Sequence, residues 1–249
     1  MVARQPIPGF GRAVARLFTI QAAWTYERML GIGFGYVAEP MLRGMQRDGG
    51  KEAFRSAVAR ESRFFNAHPY FASLAVGAAV RAELDGVPPE KIERLRSALA
   101  GPLGSFGDRL IWAGWLPACA AIGLVLVAVG AGAWAPLAFL LLYNAAHVSV
   151  RVWGLKAGFR SGVGVAGALA APGLLRALEL VAPVAAFLVG GALVSVLAWI
   201  PVHARWETAA GAAAALVFAA VVRTIQPRAT GMVVAGGVLA AVLAVGVLW

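Results

Sequence analysis

Gly101-Pro102-Leu103-Gly104-Ser105-Phe106-Gly107-Asp108 is the stretch on which the reading of this chain turns. Three glycines and a proline in eight residues disfavour a helix, so the stretch reads as a loop. Its position gives it weight. Residues 1–110 hold 15 of the 22 basic and 10 of the 12 acidic residues, and beyond Arg109 the chain turns almost wholly apolar. An irregular loop ending in a carboxylate, set where a polar half meets an apolar half, points to a solute pathway. At membrane depth, irregular backbone survives only where protein buries it or it lines a wet cavity. Asp108, just before the apolar run from Leu110, also reads as the N-cap of a first spanning helix. A carboxylate has enough acceptor positions to cap a helix and bind a ligand.

Downstream of the stretch lie five apolar blocks, about 110–132, 134–150, 178–200, 208–222 and 230–249, most of them near the ~17–25 residues of a crossing. With 60% hydrophobic and 14% charged residues, the composition is that of an integral membrane protein. Loop charges set the orientation. Arg151, Lys156, Arg160 and Arg176 fall in one expected loop, Arg223 and Arg228 in another, and the Gly132–Pro136 turn is uncharged. The positive-inside rule then puts the basic N-terminal half in the cytoplasm and predicts a multi-pass protein. The division expected is a motif-bearing helical region over 1–109 and a transmembrane helical region over 110–249.

The net charge of +10 does not indicate nucleic acid, because the basic residues form no run and no aromatic–basic interleaving occurs. Cys119 stands alone, which rules out an internal disulfide or thiolate cluster. No His or carboxylate pair has metal-ligand spacing, and there is no nucleophile motif, so neither metal nor cofactor is expected. The basic N-terminus has no continuous apolar core before Gln21 and does not read as a cleaved signal.

Upstream, Arg12 to Met29 has helical periodicity, with Val14, Leu17, Phe18, Trp24 and Met29 on one face, and reads as a basic helix on a membrane surface. Glu27 and Arg28 are either a surface charge pair or part of a site. Gly31-Ile32-Gly33-Phe34-Gly35 lacks the preceding strand of a nucleotide loop and reads as close helix packing. A second helix from Lys51 ends at Phe64-Phe65-Asn66-Ala67-His68-Pro69, where Pro69 biases His68 to an extended turn. Asn66 and His68 beside paired aromatics suit either sugar hydroxyls or backbone capping. Phe71 to Leu84 is apolar but short, fitting a re-entrant or interfacial segment, with Glu83 either paired to Arg81 or a buried functional acid. Pro88-Pro89-Glu90 opens a short helix that leads into the opening stretch. Asn144 and His147, inside the second span, are either interhelical hydrogen-bonding groups or functional ones.

Three separated stretches, in this order and spacing, resemble the signatures of the IID membrane subunit of mannose/fructose/sorbose-type phosphotransferase systems. They are Gln21–Trp24–Tyr26–Glu27–Arg28–Met29, Phe64–Pro69 and Gly101–Asp108, with Glu83 at the acidic position after the second. The resemblance covers about residues 16–112 and implies an all-α polytopic protein with cytoplasmic-side amphipathic helices, re-entrant segments and about five apolar helices. It implies a non-catalytic subunit of the bacterial inner membrane, without a phosphorylation site of its own. Such a subunit pairs with a IIC subunit in a trimer of IIC–IID pairs among membrane lipid. A hexose-type sugar passes between the subunits and is phosphorylated by IIB, which IIA serves. Asn66, His68, Glu83 and Asp108 are then the expected sugar contacts. Gln21, Trp24, Glu27, Arg28, Phe65, Pro69, Gly101, Pro102, Gly104 and Gly107 are expected motif or subunit-contact positions. The family pattern has His where Glu61 stands, Thr at Ala67 and Ala-Gly at Gly104-Ser105. The alternative is a diverged, non-transporting structural or regulatory partner of IIC.

Overall fold

The computed structural model describes residues 6–48 and 50–197. The chain divides into two units, Met1–Ala192 and Leu193–Trp249, and apart from the last turn of α10 every element below belongs to the first. The apolar blocks at 208–222 and 230–249, with their loop charges, lie outside the described residues.

The elements are helices throughout: α1 (Phe10–Leu17), α2 (Gly31–Leu42), α3 (Met45–Asp48), α4 (Gly50–Glu61), α5 (Ala72–Leu84) and α6 (Pro89–Gly107), then a π-helical segment (Asp108–Trp115), α7 (Leu116–Ala128) and α8 (Trp134–Ser161). A 3₁₀ turn (Gly162–Gly164), α9 (Ala166–Leu169) and α10 (Pro172–Leu197) follow. Among the described residues three helical stretches are long and apolar enough to cross a bilayer: Pro89–Ala128, Trp134–Gly164 and Pro172–Leu193. The protein is an all-α membrane protein.

The opening stretch is not a loop. Pro89 to Ala128 is one helical rod, and Gly101–Asp108 runs through its middle. The line between the charged and apolar halves at residue 109 therefore falls inside a continuous helix. The reason is visible in the buried face: Ile92, Arg96, Leu99, Leu103 and Gly107 recur every three or four residues and pack inward. That stripe crosses the glycines, and tertiary packing on it outweighs their poor propensity. Pro102 forfeits one backbone donor and faces solvent. Asp108 consequently caps nothing. Its φ of −61° and ψ of −44° are helical, and its N–H donates back to the Gly104 and Ser105 carbonyls. Instead of a break, the rod widens into the π segment, which ends just before Pro117 in the first turn of α7. A proline displaces the carbonyl four residues behind it, and a wider turn accommodates that.

The other differences have the same origin. The Arg12–Met29 periodicity yields helix only to Leu17; residues 18–30 are turns, pinned by bridges from Met29 to Thr25 and to Phe65. The apolar face of α1, Ala13 and Leu17, is buried within the protein, and Arg16 pairs with Glu39 of α2 at 2.7 Å. The glycines of α2 do serve close packing: a β-carbon on Gly33 would overlap the Ile20 carbonyl. The segment from Phe71 to Leu84 is the central helix α5, buried on every face among α2, α6 and α8, which explains why it is apolar all round.

The second span does not end at residue 150. Helix α8 continues to Ser161, so Arg151, Lys156 and Arg160 sit on helix and not in a loop. Its extension crosses α5 at backbone distance, because β-carbons on Gly77, Gly154 or Gly158 would overlap Leu155, Ser73 or Leu74 of the facing helix. Asn144 bonds back to the Leu140 carbonyl of its own helix at 2.8 Å, and among the described residues it makes no bond across to another helix.

Candidate functional site

The site begins at the end of α4. A helix leaves its last carbonyls without partners, and here Arg96 of α6 supplies them. Its guanidinium donates to the carbonyls of Arg60 (2.5 Å), Glu61 (3.1 Å) and Arg63 (3.1 Å), and it lies over the Phe34 and Phe65 rings at 4.7 and 5.8 Å. A cation at a helix C-terminus also complements the macrodipole. Past this clamp the chain runs extended. Phe65 exchanges backbone hydrogen bonds with the neighbouring turn, Leu30 N–H to Phe65 O at 2.9 Å and Phe65 N–H to Arg28 O at 3.3 Å, and its ring packs edge-on to Phe34. The Asn66–Pro69 turn is thus fixed from both sides before α5 begins.

His68 is 2% exposed. Its Nδ1 accepts the Tyr70 backbone N–H at 3.3 Å, so in the neutral ring the proton sits on Nε2. Nε2 is itself buried and has no hydrogen-bond partner among the described residues. Burial, reinforced by the charge of Arg151, pushes the imidazole down to about 4. The α6 backbone lies directly against this ring: a β-carbon on Gly107 would overlap His68 Cβ and Cγ. Trp112 covers another side, with ring centroids 4.7 Å apart.

These contacts leave an open cleft of about 540 Å³ between the turn and the α6–π rod. Asn66, Ala67 and His68 form one wall; Gly101, Gly104, Ser105, Asp108, Arg109 and Trp112 form the other. Asp108, Arg109 and Asn66 are exposed and Trp112 is 50% exposed, so the polar groups are available to a ligand. The wall carries a carboxylate acceptor, an amide with both donor and acceptor, an imidazole whose Nε2 is buried, and an indole face. That set matches a polyhydroxylated molecule with apolar C–H faces. Two further hollows, both bordered by Val150, are almost wholly apolar: each has a tryptophan but no carboxylate, amide or imidazole.

Three of the four expected sugar contacts, Asn66, His68 and Asp108, meet at this cleft. Glu83 does not. It is 7% exposed and makes a two-pronged ion pair with Arg60, Oε1 to Nε at 2.7 Å and Oε2 to Nη2 at 2.9 Å, tying α5 to α4. Arg81, the partner in one of the two readings of Glu83, pairs instead with Asp85. Of the remaining motif positions, Gln21, Trp24, Glu27 and Arg28 are exposed on the turn before α2, where Trp24 and Tyr26 meet edge to face. Phe65, Pro69 and Gly107 are buried, Gly101 and Pro102 are exposed and Gly104 is half-buried. Sequence reasoning missed Trp112 and Arg109. Trp112 follows Asp108 by four residues, a helical repeat that goes unseen when the stretch is read as a loop. Among the described residues no cluster of His, Cys, Asp and Glu could hold a metal ion.

Comparison with known proteins converges on one family. The family model for the "PTS system mannose/fructose/sorbose family IID component" matches residues 10–249. The mannose-specific EIID component of Escherichia coli (strain K12) is 29% identical over 180 residues, covering 70% of this chain and 62% of that one. The fructose permease IID component of Bacillus subtilis (strain 168) is 31% identical over 178 residues, 70% of this chain and 63% of that one. The match thus spans less than two thirds of these relatives' length. In fold, the chain is similar to one in the cryo-EM structure of the mannose transporter ManYZ with microcin E492. The TM-score is 0.56 at 24% identity, over 78% of this chain and 70% of that one. Another solved membrane protein superposes at a TM-score of 0.66 with 23% identity, over 74% and 68%. The chain, which carries the three motif stretches and folds two of them around one cleft, belongs to the mannose/fructose/sorbose family of phosphotransferase-system IID components.

Proposed function

We propose that this chain is the IID half of a sugar-translocating pair in the bacterial cytoplasmic membrane, with its N-terminal region on the cytoplasmic side. A IIC subunit supplies the other half, in a trimer of IIC–IID pairs held in membrane lipid. The sugar is of the mannose, fructose or sorbose type, and IIB, served by IIA, phosphorylates it. In this reading Asn66, His68 and Asp108 hold the sugar as it passes the cleft. Asp108 accepts hydroxyl hydrogen bonds, His68 donates one from Nε2, Asn66 does both, and Trp112 covers a C–H face. The exposed turn bearing Gln21, Trp24, Glu27 and Arg28 meets IIC. Glu83 supports α4 and α5 and does not contact the sugar.

The observation that carries this reading is the convergence of two motifs, about forty residues apart in sequence, on the walls of one cleft in a chain of this family. Hydrogen bonds to a charged group contribute about 1.5–3 kcal/mol, so Asp108→Asn is expected to weaken sugar binding roughly tenfold or more. The test is phosphoenolpyruvate-dependent uptake of each sugar in membranes holding the full complex, with Asp108→Asn and His68→Ala beside the wild type. Loss of uptake with assembly intact is expected. Uptake at the wild-type rate in both variants would sink the assignment. A wild-type complex that assembles with IIC yet takes up none of the sugars would mark the chain as a non-transporting partner.

A further inference from the structure

Tyr143, His147 and Arg151 are spaced four apart on α8 and so form one stripe along it. The stripe converges on one side chain outside that helix, Tyr70. The two tyrosine hydroxyls are 2.7 Å apart. The His147 ring stacks on the Tyr70 ring with centroids 4.2 Å apart and planes 10° from parallel. The Arg151 guanidinium lies over the same ring, 4.7 Å from its centroid. Arg151 is 2% exposed and donates to the Leu17 carbonyl, yet none of the ion pairs among the described residues gives it a carboxylate. A buried cation held by rings and a carbonyl, without a carboxylate, is costly, which points to a use beyond packing.

The use lies one residue further on. Tyr70 donates its backbone N–H to His68 Nδ1. The contacts therefore run from the α8 stripe through Tyr70 to the imidazole in the cleft. Protonating His68 would turn Nδ1 into a donor facing the Tyr70 N–H, and would set a second positive charge near a buried one. The charged and titratable groups around His68 are Tyr70 from its own turn, Asp108 and Arg109 from the π segment, and Arg151, His147 and Tyr143 from α8. Helix α6 meets it with Gly107, which carries no charge. Asp108 alone favours the charged ring.

We propose that Arg151, acting through Tyr70, is a positioning residue that holds His68 as a neutral ring with its hydrogen on Nε2, uncommitted to any group among the described residues. This deepens the cleft reading proposed above, on which its functional meaning rests. It gives the spanning helix α8 a part in the cleft without touching the ligand itself.

The test separates the two. In the full membrane complex with ¹⁵N-histidine, His68 (assigned by its loss in His68→Gln) is expected to stay neutral and protonated on Nε2 from pH 8 down to pH 5. A ring that is protonated at pH 6, or carries its hydrogen on Nδ1, overturns the proposal without any Arg151 variant being needed. In Arg151→Met and in Arg151→Gln the His68 midpoint is expected to rise by about one pH unit. Arg151→Lys, which keeps the charge, is expected to leave the midpoint near the wild-type value. An unchanged midpoint in both neutral variants, with the melting temperature of the complex showing it folded, also overturns the proposal. A midpoint that moves while the pH profile of uptake stays fixed upholds the positioning role and refutes the sugar-contact role of His68.

Discussion

Three glycines of one motif should respond to alanine with opposite signs. Gly101, Gly104 and Gly107 all lie in α6, and all have ordinary helical backbone, so alanine gains about 0.8–1 kcal/mol of helix propensity at each. At Gly101 and Gly104 nothing lies within 4 Å of the added methyl. The full gain should therefore appear, raising the melting temperature of the detergent-solubilised complex by a few degrees. At Gly107 the methyl would occupy the space of His68 Cβ and Cγ, and overpacking of this kind costs about 1–3 kcal/mol. His68 cannot easily yield, being 2% exposed and held by Tyr70 and Trp112. The net for Gly107→Ala is a loss of up to about 2 kcal/mol, the overpacking minus the propensity gain. Thermal unfolding of the three variants, followed by tryptophan fluorescence, reads the sign directly. A Gly107→Ala protein as stable as Gly101→Ala would refute the close contact of α6 with the His68 turn, and with it the geometry of the cleft.

Other expectations concern the ion pairs and the cleft wall. Glu61 is 0% exposed, and burial pushes its carboxyl up to about 8, with Glu83 adding in the same direction against Arg96 and Arg60. The folded protein thus holds a proton that the unfolded chain releases near 4.5, so its stability should fall as pH rises from about 4.5 to 8. Melting temperatures between pH 5.5 and 8.5 should show that slope in the wild type and a flatter one in Glu61→Gln; equal slopes would contradict a buried protonated carboxyl. Glu83→Ala leaves Arg60 half-buried and unpaired, for a loss of about 3 kcal/mol seen as poor yield and a low melting temperature. Arg60→Met in the same chain should recover part of it; no recovery would show that Glu83 acts elsewhere. Trp112→Ala removes the indole face proposed to cover the sugar; if that face contributes about 0.5–1.5 kcal/mol, as aromatic contacts do, the uptake KM should rise about two- to tenfold at unchanged assembly. An unchanged KM would remove Trp112 from the cleft.

Much of the fold was legible because membrane helices announce themselves by length and apolarity. The three described spans fall where the apolar blocks lie, and Pro89 marks the start of α6 as a proline at the first helical position should. What misled was local composition. Gly101 to Asp108 reads as a break by its glycines and proline, whereas the Ile92–Arg96–Leu99–Leu103–Gly107 stripe already ran through it at helical spacing. Gly107 is there because His68 needs the space, a reason that lies in another part of the chain and has no local signal. Asn66, His68 and Asp108 were visible as polar groups in motifs, and their meeting depends on the Arg96 clamp at the end of α4. Nothing near Arg96 in sequence distinguishes it from Arg94. Glu83 reads from the sequence as either a partner of Arg81 or a buried functional acid; it is buried, and its partner is Arg60, 23 residues away. Arg151 looked like loop charge only because the second span was ended at residue 150, eleven residues before α8 itself ends at Ser161.

Whether a sugar enters the cleft between Asn66–His68 and Asp108 decides the function of this chain. Cys119, the only cysteine, is removed as Cys119→Ser, and a thiol is placed either on the cleft wall as Ser105→Cys or two turns away on the same helix as Ser97→Cys. Both positions are exposed, so both should react with a membrane-impermeant maleimide in the full complex. Mannose, fructose or sorbose, whichever the complex takes up, is expected to slow alkylation at Ser105→Cys severalfold and leave Ser97→Cys unchanged. Alkylation of Ser105→Cys at the same rate with and without a transported sugar would contradict the account.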